Sequence, residues 1–499
     1  MEARRVRGMS TNGSPNTIRR RSNSRFPLSF LDLPGILSCF ICLLCLAVLF
    51  AGCAGYHPAR HPANHPARHP ANHQSANSVQ RESAESPPVP SDVELGKKIF
   101  EELKSQLEFT ENPLIQTYVD RIGKRILEQV HPNRFEFRYF VIKSDQLNAF
   151  ALPNGYIFFT ERLLSSVKTE DELAFVLCHE TAHVVKTHFR RLMEKKSKVD
   201  MATMAAMVAG LLLAKDAELA TAIQAFSIGT NQTFFLKYSR EFEDEADETG
   251  FSYLIKAGYQ GQGAIDFMEK LRRLERITII PPVYLSTHPA TNTRIYHLEQ
   301  MNQRMASDSH AKPSGNIRRF QIWNRLETEH PQEYYQDLQK AYRSDPNNPD
   351  LLYGLALVLG KVGRLKESLD YFQKCLNLNP HDGDALRDMG ISLFRQGKYQ
   401  EAEKQLEQVT GMTPDDFLAF HYLGRTLKET NQLDKAIASL NRSRELQPDF
   451  AENYYTLGLL CQQKGQMREA HQNFSTHFSL KGNQKAAQFH LREAERAGR

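Results

Sequence analysis

Five consecutive residues, His179-Glu180-Thr181-Ala182-His183, carry most of what a zinc hydrolase needs. Histidines at i and i+4 lie about 40° apart around a helix, so both imidazoles can reach one metal ion. Glu180 stands beside such an ion rather than on it. There it can take a proton from an activated water and pass it to a leaving amine, which is peptide-bond hydrolysis. Two histidines are an incomplete set, because a catalytic zinc takes three protein ligands and keeps a fourth position for water. His188 is a poor third ligand: five residues past His183, it falls on another face of a continuing helix. Phe189 occupies the position six residues on, which speaks against metzincin spacing.

A better third ligand lies downstream, in Ser239-Arg240-Glu241-Phe242-Glu243-Asp244-Glu245-Ala246-Asp247. Glu243 and Asp247 are four apart, so a second helix can aim both carboxylates at the first. Glu243 would bind the metal, and Asp247 would accept the free ring N–H of a zinc histidine and fix its tautomer. The alternative is a solvated acidic helix face, since Glu241, Glu245 and Glu248 share the segment.

These side chains need elements to hold them. Thr169 can cap a helix, Glu172 completes a capping box, and Leu173, Val176 and Leu177 form an apolar stripe, so the histidines belong on a buried or cleft-lining helix. Cys178 points away from the histidines and reads as a small core residue. Upstream, Leu95, Ile99 and Leu103, then Ile115, Val119, Ile122 and Ile126, give residues 93–130 helical periodicity. Phe135 to Ile142 alternates as a strand. Asn148–Leu152 and Tyr156–Phe159 flank Pro153-Asn154-Gly155 as a hairpin or tight turn. A strand beside a zinc helix can pair with an extended substrate backbone, so Asn148, Ala149, Phe150 and Ala151 are candidate substrate-binding residues; the alternative is a plain core strand. Met201 to Ala214 is almost wholly apolar but too short to span a bilayer, and reads as cleft cover, membrane-surface contact or buried core.

H-E-x-x-H followed by S-R-x-x-E-x-x-x-D resembles the gluzincin family of CAAX-prenyl-type endopeptidases. The resemblance spans roughly residues 92–305. It includes Asn148-Ala149-Phe150-Ala151-Leu152-Pro153-Asn154-Gly155-Tyr156-Ile157 and the late Thr287-His288-Pro289 with Arg294. Carried over residue by residue, it implies His179, His183 and Glu243 as ligands of one zinc ion and Glu180 as general base. His288, also singled out by the resemblance, would be either a fourth ligand that holds the site latent or a donor to the oxyanion of the tetrahedral intermediate; the alternative is a surface loop histidine.

The chain has 499 residues, room for two or three domains. Its whole formal excess of +5 sits in residues 1–52, where seven Arg face only Glu2 and Asp32, so no basic field remains to suggest nucleic acid. Arg19, Arg20, Arg21 and Arg25 precede an apolar run from Ile36 to Ala51 and then Gly52-Cys53. That pattern reads as a lipoprotein-type signal peptide over residues 1–52, with Cys53 as the lipidated residue. An uncleaved anchor is the alternative; both readings hang the protein from a membrane outside the cytoplasm. Ala54 lacks the Asp of inner-membrane retention and leans the placement to the outer membrane, facing the periplasm. Residues 53–92 read as a His/Pro-rich linker, extended and semi-rigid rather than metal-scavenging. Cys178, Cys375 and Cys461 then remain, which is no disulfide framework.

Pro346, Pro380, Pro414 and Pro448 recur at intervals of 34, the tetratricopeptide period. On that frame Gly390, Gly424 and Gly458 share a slot with Ala356. Gly363, Gly397 and Gly465 share the inter-helix turn with Asn431. Ala402, Ala436 and Ala470 share a close-packing slot with Ser368. The expected organisation is an α+β zinc metallopeptidase domain over 93–310, an all-α tetratricopeptide-repeat solenoid over 316–485 opening with a helical half-repeat, and a polar capping helix over 486–499. The expected function is a zinc endopeptidase of the cell envelope. The resemblance implies misassembled or stalled outer-membrane proteins as substrates and the outer-membrane assembly machinery as the repeats' docking partner. A rival reading is a periplasmic chaperone or scaffold that binds extended chains.

Overall fold

A computed structural model describes residues 90–194, 239–278, 282–305 and 316–498. The signal run, Cys53, most of the His/Pro-rich linker and Met201–Ala214 lie outside the described residues. All of the described residues belong to one compact unit, Glu82–Arg499.

The half that carries the His-Glu-x-x-His motif is a three-stranded sheet between helices. Helix α1 (Pro90–Lys104) and α2 (Pro113–Leu127) precede β1 (Arg138–Ile142), β2 (Ala149–Ala151) and β3 (Tyr156–Thr160). Asn112 caps α2 through Leu114 N–H, and Pro113 sits in the first turn, where its missing N–H costs nothing. The sheet order is β1-β3-β2, with β1 parallel and β2 antiparallel to β3. Strand β3, Tyr-Ile-Phe-Phe-Thr, is buried at every position because both of its faces are covered. Ile157 and Phe159 face the core shared with α2 and the zinc-motif helix, while Tyr156 and Phe158 face Ile99 and Leu103 of α1. The expected hairpin is present, and Gly155 turns it at a φ of 96°.

After α3 (Glu161–Ser166) comes α4 (Glu170–Val185), which carries the motif. Thr169 Oγ1 accepts the Glu172 amide at 3.2 Å, while Glu172 reaches back to the Lys168 amide at 2.7 Å and pairs with Lys270. Helix α5 (His188–Glu194) follows a sharp break in which Thr187 has a φ of 53°. Helix α6 (Arg240–Lys256) lies against α4, and Gly250 allows the close approach: a Cβ there would stand 3.1 Å from the backbone of Cys178 and His179. Helices α7 (Gln262–Ile277), α8 (Val283–Thr287) and α9 (Asn292–Met305) complete this half.

The second half is a run of antiparallel helix pairs: α10 (Ile317–Thr328) and α11 (Pro331–Ser344), α12 (Pro349–Lys361) and α13 (Leu365–Leu378), α14 (Gly383–Arg395) and α15 (Tyr399–Met412), α16 (Phe417–Glu429) and α17 (Leu433–Leu446), α18 (Ala451–Gln463) and α19 (Met467–Leu480), then α20 (Gln484–Arg496). Gly363, Gly397 and Gly465 adopt positive φ in the turns, and Asn431 does the same at 60°. Gly390 packs so tightly on Leu406 that a Cβ would approach to 2.8 Å. In the first of the four expected repeats, where Ala356 replaces that glycine, Ser368 Oγ donates to the Ala356 carbonyl at 2.7 Å. Two corrections follow. The expected half-repeat before residue 346 is a full helix pair, and the expected polar cap leaves Phe489 and Leu491 half-exposed while burying Ala487 and Ala494.

Helix α10 is fastened to the half that carries the motif. Asn324 Nδ2 donates to the Glu161 carbonyl at 3.0 Å and to Ser165 Oγ at 2.6 Å, and Gln321 Nε2 donates to the Val167 carbonyl at 2.7 Å. Phe320 stacks on Tyr118 with ring centroids 4.5 Å apart. Leu114 at the start of α2 packs against Ile391, Phe417 and Leu418 of the repeats.

Candidate active site

Helix α4 is buried almost all round, so His179, Glu180 and His183 are 0–2% exposed. Helix α6 turns Glu243, Asp247, Gly250 and Leu254 inward at steps of four, three and four, whereas Glu241, Asp244 and Glu248 face solvent. The acidic segment is therefore split: two carboxylates face α4, and most of the others form an exposed face.

Four side chains from three elements offer ligand atoms within 4.8 Å of one another: His179, His183, Glu243 and His288. His179 Nε2 lies 3.0 Å from His183 Nε2 and 3.3 Å from His288 Nδ1. Glu243 Oε1 lies 3.0 Å from His288 Nδ1 and 3.5 Å from His183 Nε2, and Glu243 Oε2 lies 3.6 Å from His179 Nε2. A tetrahedron of ~2.0 Å bonds to zinc has edges of about 3.3 Å, in the middle of this range. Three imidazole nitrogens and a carboxylate converge at these distances, and one divalent cation placed among them would serve all four at once. The donor set fits zinc.

The surroundings orient the donors. His179 Nδ1 lies 3.0 Å from Asp247 Oδ1. Arg294, 4% exposed, donates to Asp247 from Nε at 2.6 Å and from Nη2 at 2.8 Å, while its Nη1 lies 2.6 Å from Glu243 Oε2. His183 Nδ1 lies 2.9 Å from His188 Nδ1, whose Nε2 is 3.1 Å from Glu245 Oε2. His188 is outside the four-donor group, yet it touches a member of it. The different-face argument fails as geometry because α4 stops at Val185 and the turn at Thr187 swings His188 back.

Burial opposes charge on every one of these groups, and their neighbours decide the outcome. Burial lowers the His179 pKa, but Asp247 and Glu243 more than offset it, leaving the group raised to about 9. Burial and the positive field of His179 hold His183 well below the usual imidazole range. Burial pushes Glu243 up, but His288 and Arg294 outweigh it and keep the carboxylate ionised. For Glu180 burial dominates and the pKa is raised, the direction a general base working near neutrality requires. Its Oε1 faces His288 Nε2 at 3.7 Å, and the His288 ring stacks on Tyr284.

Strand β2 runs beside α4 and ends the sheet among the described residues. Leu152 N–H donates to the Tyr156 carbonyl and Thr160 N–H to the Asn148 carbonyl, so Asn148 and Leu152 are bonded positions on the β3 side. With a period of two, Ala149 and Ala151 turn their backbone groups to the outer edge, while the Asn148 and Ala149 side chains are buried.

Residues 113–302 match the sequence profile of peptidase family M48, and residues 348–415 and 393–461 match tetratricopeptide-repeat profiles. The chain thus joins an M48 peptidase domain to a C-terminal tetratricopeptide array. Among individual proteins, it is 36% identical over 186 residues to a protein of Vibrio cholerae provisionally named a beta-barrel assembly-enhancing protease, covering 37% of this chain and 38% of that one. It is 28% identical over 206 residues to the beta-barrel assembly-enhancing protease of Escherichia coli K12, covering 41% and 42%. It is also 32% identical over 183 residues to the mitochondrial metalloendopeptidase OMA1 of Schizosaccharomyces pombe, covering 37% and 52%. The chain matches about two-fifths of the length of the bacterial relatives.

Proposed function

We propose that this protein is a zinc-dependent endopeptidase. The observation that carries the proposal is the group formed by His179, His183 and Glu243, with Glu180 beside it. Zinc held by His179, His183 and Glu243 supplies a Lewis acid for the scissile carbonyl and lowers the pKa of a water. Glu180 accepts the proton of the attacking water and returns it to the leaving amine nitrogen. Asp247 holds His179 in one tautomer, and Arg294 clamps the carboxylates of Asp247 and Glu243.

An extended polypeptide adds to the outer edge of β2, bonding through the backbone of Ala149 and Ala151. Such recognition reads main chain, so selection among substrates falls to the rest of the molecule. His288 closes the fourth side of the donor group and faces Glu180, and we assign it as a fourth donor in a resting state that substrate must displace.

The same reading takes the substrates to be misfolded or stalled outer-membrane proteins, and the repeats to dock on the machinery that assembles them. The bacterial relatives' names support it, as does the signal-like run before Cys53, which would anchor the protein by lipid in the envelope, at the outer membrane. Among the described residues no helix is long and apolar enough to cross a membrane.

The test compares casein cleavage by the full chain and by Glu180→Gln, with zinc measured in both. We expect one zinc per chain in each and a loss of cleavage of ~10²- to 10⁴-fold in the variant, the usual contribution of a general base. Equal rates would remove Glu180 from the mechanism. A wild type that holds zinc and unfolded chains but cuts nothing would favour the chaperone reading.

A further inference from the structure

The two zinc-motif histidines are braced differently. His179 leans on a carboxylate, Asp247, whereas His183 leans on another imidazole. His188 is fully buried, and its ring lies flat on Phe242, with centroids 4.7 Å apart and planes at 8°. Its Nδ1 meets His183 Nδ1 at 2.9 Å and its Nε2 meets Glu245 Oε2 at 3.1 Å. Arg191 Nη1 donates to the same Glu245 oxygen at 2.7 Å, and the Arg191 guanidinium lies over the Phe242 ring, 4.4 Å from its centroid. A line of contacts therefore runs from His183 through His188 and Glu245 to Arg191, joining α4, α5 and α6.

We infer that His188 is a positioning residue for the metal site, holding His183 in its ligating tautomer and orientation, with Glu245 and Arg191 fixing the tautomer of His188 in turn. The inference rests on the zinc reading of the site. The proton arrangement follows from the distances. An imidazole that offers the Nε2 lone pair to a cation carries its proton on Nδ1. His183 Nδ1–H must then donate to His188 Nδ1, which therefore has no proton. His188 carries its own on Nε2 and gives it to Glu245, an acceptor that Arg191 keeps charged. Every donor in the line meets an acceptor in only this arrangement, and reversing either ring sets two N–H groups or two lone pairs against each other. The turn at Thr187 is what makes the line possible, since a continuous helix would carry His188 away from His183.

The experiment measures zinc affinity of the full chain by competition with a chromophoric chelator, together with the visible spectrum of the cobalt-substituted protein. His188→Phe keeps the ring stacked on Phe242 and removes the acceptor. His188→Asn places an oxygen near the lost Nδ1 and restores it. We expect zinc affinity to fall about 10- to 100-fold in His188→Phe with a changed cobalt spectrum, and to recover largely in His188→Asn. A simple packing role would give the opposite order, with Phe tolerated and Asn harmful, and would overturn the inference. Glu245→Ala, at the solvent end of the line, gives a second reading that does not disturb the core; we expect a smaller loss of affinity, and an unchanged value would overturn the relay. Wild type that binds zinc with equal affinity to His188→Phe sinks the positioning role while leaving the peptidase reading intact. Wild type that binds no zinc sinks both.

Discussion

Both halves of this molecule bury clusters of charged side chains, and they do so on opposite principles. In the repeats, Arg387 meets Asp384, Asp388 and Asp416 at 2.9–3.0 Å, and Arg319 meets Asp350 and Asp382 at 3.0 and 2.5 Å. Tyr353 links the two groups: its hydroxyl donates to Asp388, and the Arg319 guanidinium lies over its ring, 3.8 Å from the centroid. Around Arg387 donors face acceptors and the group is complete with protein atoms alone, whereas the buried Arg319 Nη1 finds no hydrogen-bond partner. In the catalytic half, by contrast, three imidazole nitrogens and a carboxylate converge on one point, where Nε2 meets Nε2 at 3.0 Å. One divalent cation at that point would serve all four donors at once. A buried cluster of mutually opposed charges makes a scaffold; a buried cluster of like donors makes a binding site.

Three perturbations sharpen or break this contrast. The largest effect is expected from Glu243→Ala, which removes the one anionic donor from the site: zinc retained on dialysis should fall from one per chain to near none, while the repeats keep their helical circular dichroism. Unchanged zinc would reopen the choice of third ligand. Next is Arg387→Met, which strands three aspartates in a self-sufficient cluster. Breaking a buried pair costs about 3–5 kcal/mol, so chemical denaturation should show a loss of that order with zinc content unchanged. The smallest concerns His421, buried in the repeats with Nδ1 3.1 Å from Asn453 Oδ1. Burial lowers its pKa to about 4, partly countered by that hydrogen bond. The unfolded chain takes up this proton near pH 6.5 and the folded chain resists it, so stability is full above about 6.5. It should be lost as pH falls, by about 3 kcal/mol at pH 4. His421→Phe should flatten that slope in pH-dependent unfolding; an unaltered slope would place the acid sensitivity elsewhere.

Much of this could be read before any coordinates. The four-residue spacings of His179/His183 and Glu243/Asp247 express helix geometry directly, and the structure brings their side chains together. The 34-residue period marked each turn, including the one where Asn431 stands for glycine, because only a residue tolerant of positive φ fits there. What escaped was tertiary. The relation of His188 to His183 depends on one left-handed residue, Thr187, a type that carries no turn signal in sequence. Arg294 stood out only through resemblance, since nothing local indicates that its guanidinium reaches α6 from α9. The helix pair of residues 317–344 keeps the proline at its end, Pro346, but has Ile322, Glu329 and Tyr334 where later repeats have small residues and a turn glycine, so its sequence shows only half of the pattern.

The attachment of α10 has a consequence for delivery. Asn324 and Gln321 bond to backbone carbonyls of the catalytic half, and Phe320 is locked on Tyr118, so the first helix pair is mounted on the peptidase rather than tethered to it. A flexible tether dilutes whatever it carries over the volume it sweeps. A fixed mount sweeps none, so a chain gripped by the array would be presented to the β2 edge at one distance and in one direction. Segments at that distance from the grip would be cut far ahead of chemically identical ones elsewhere, and the array would act as the ruler of the enzyme as well as its hand.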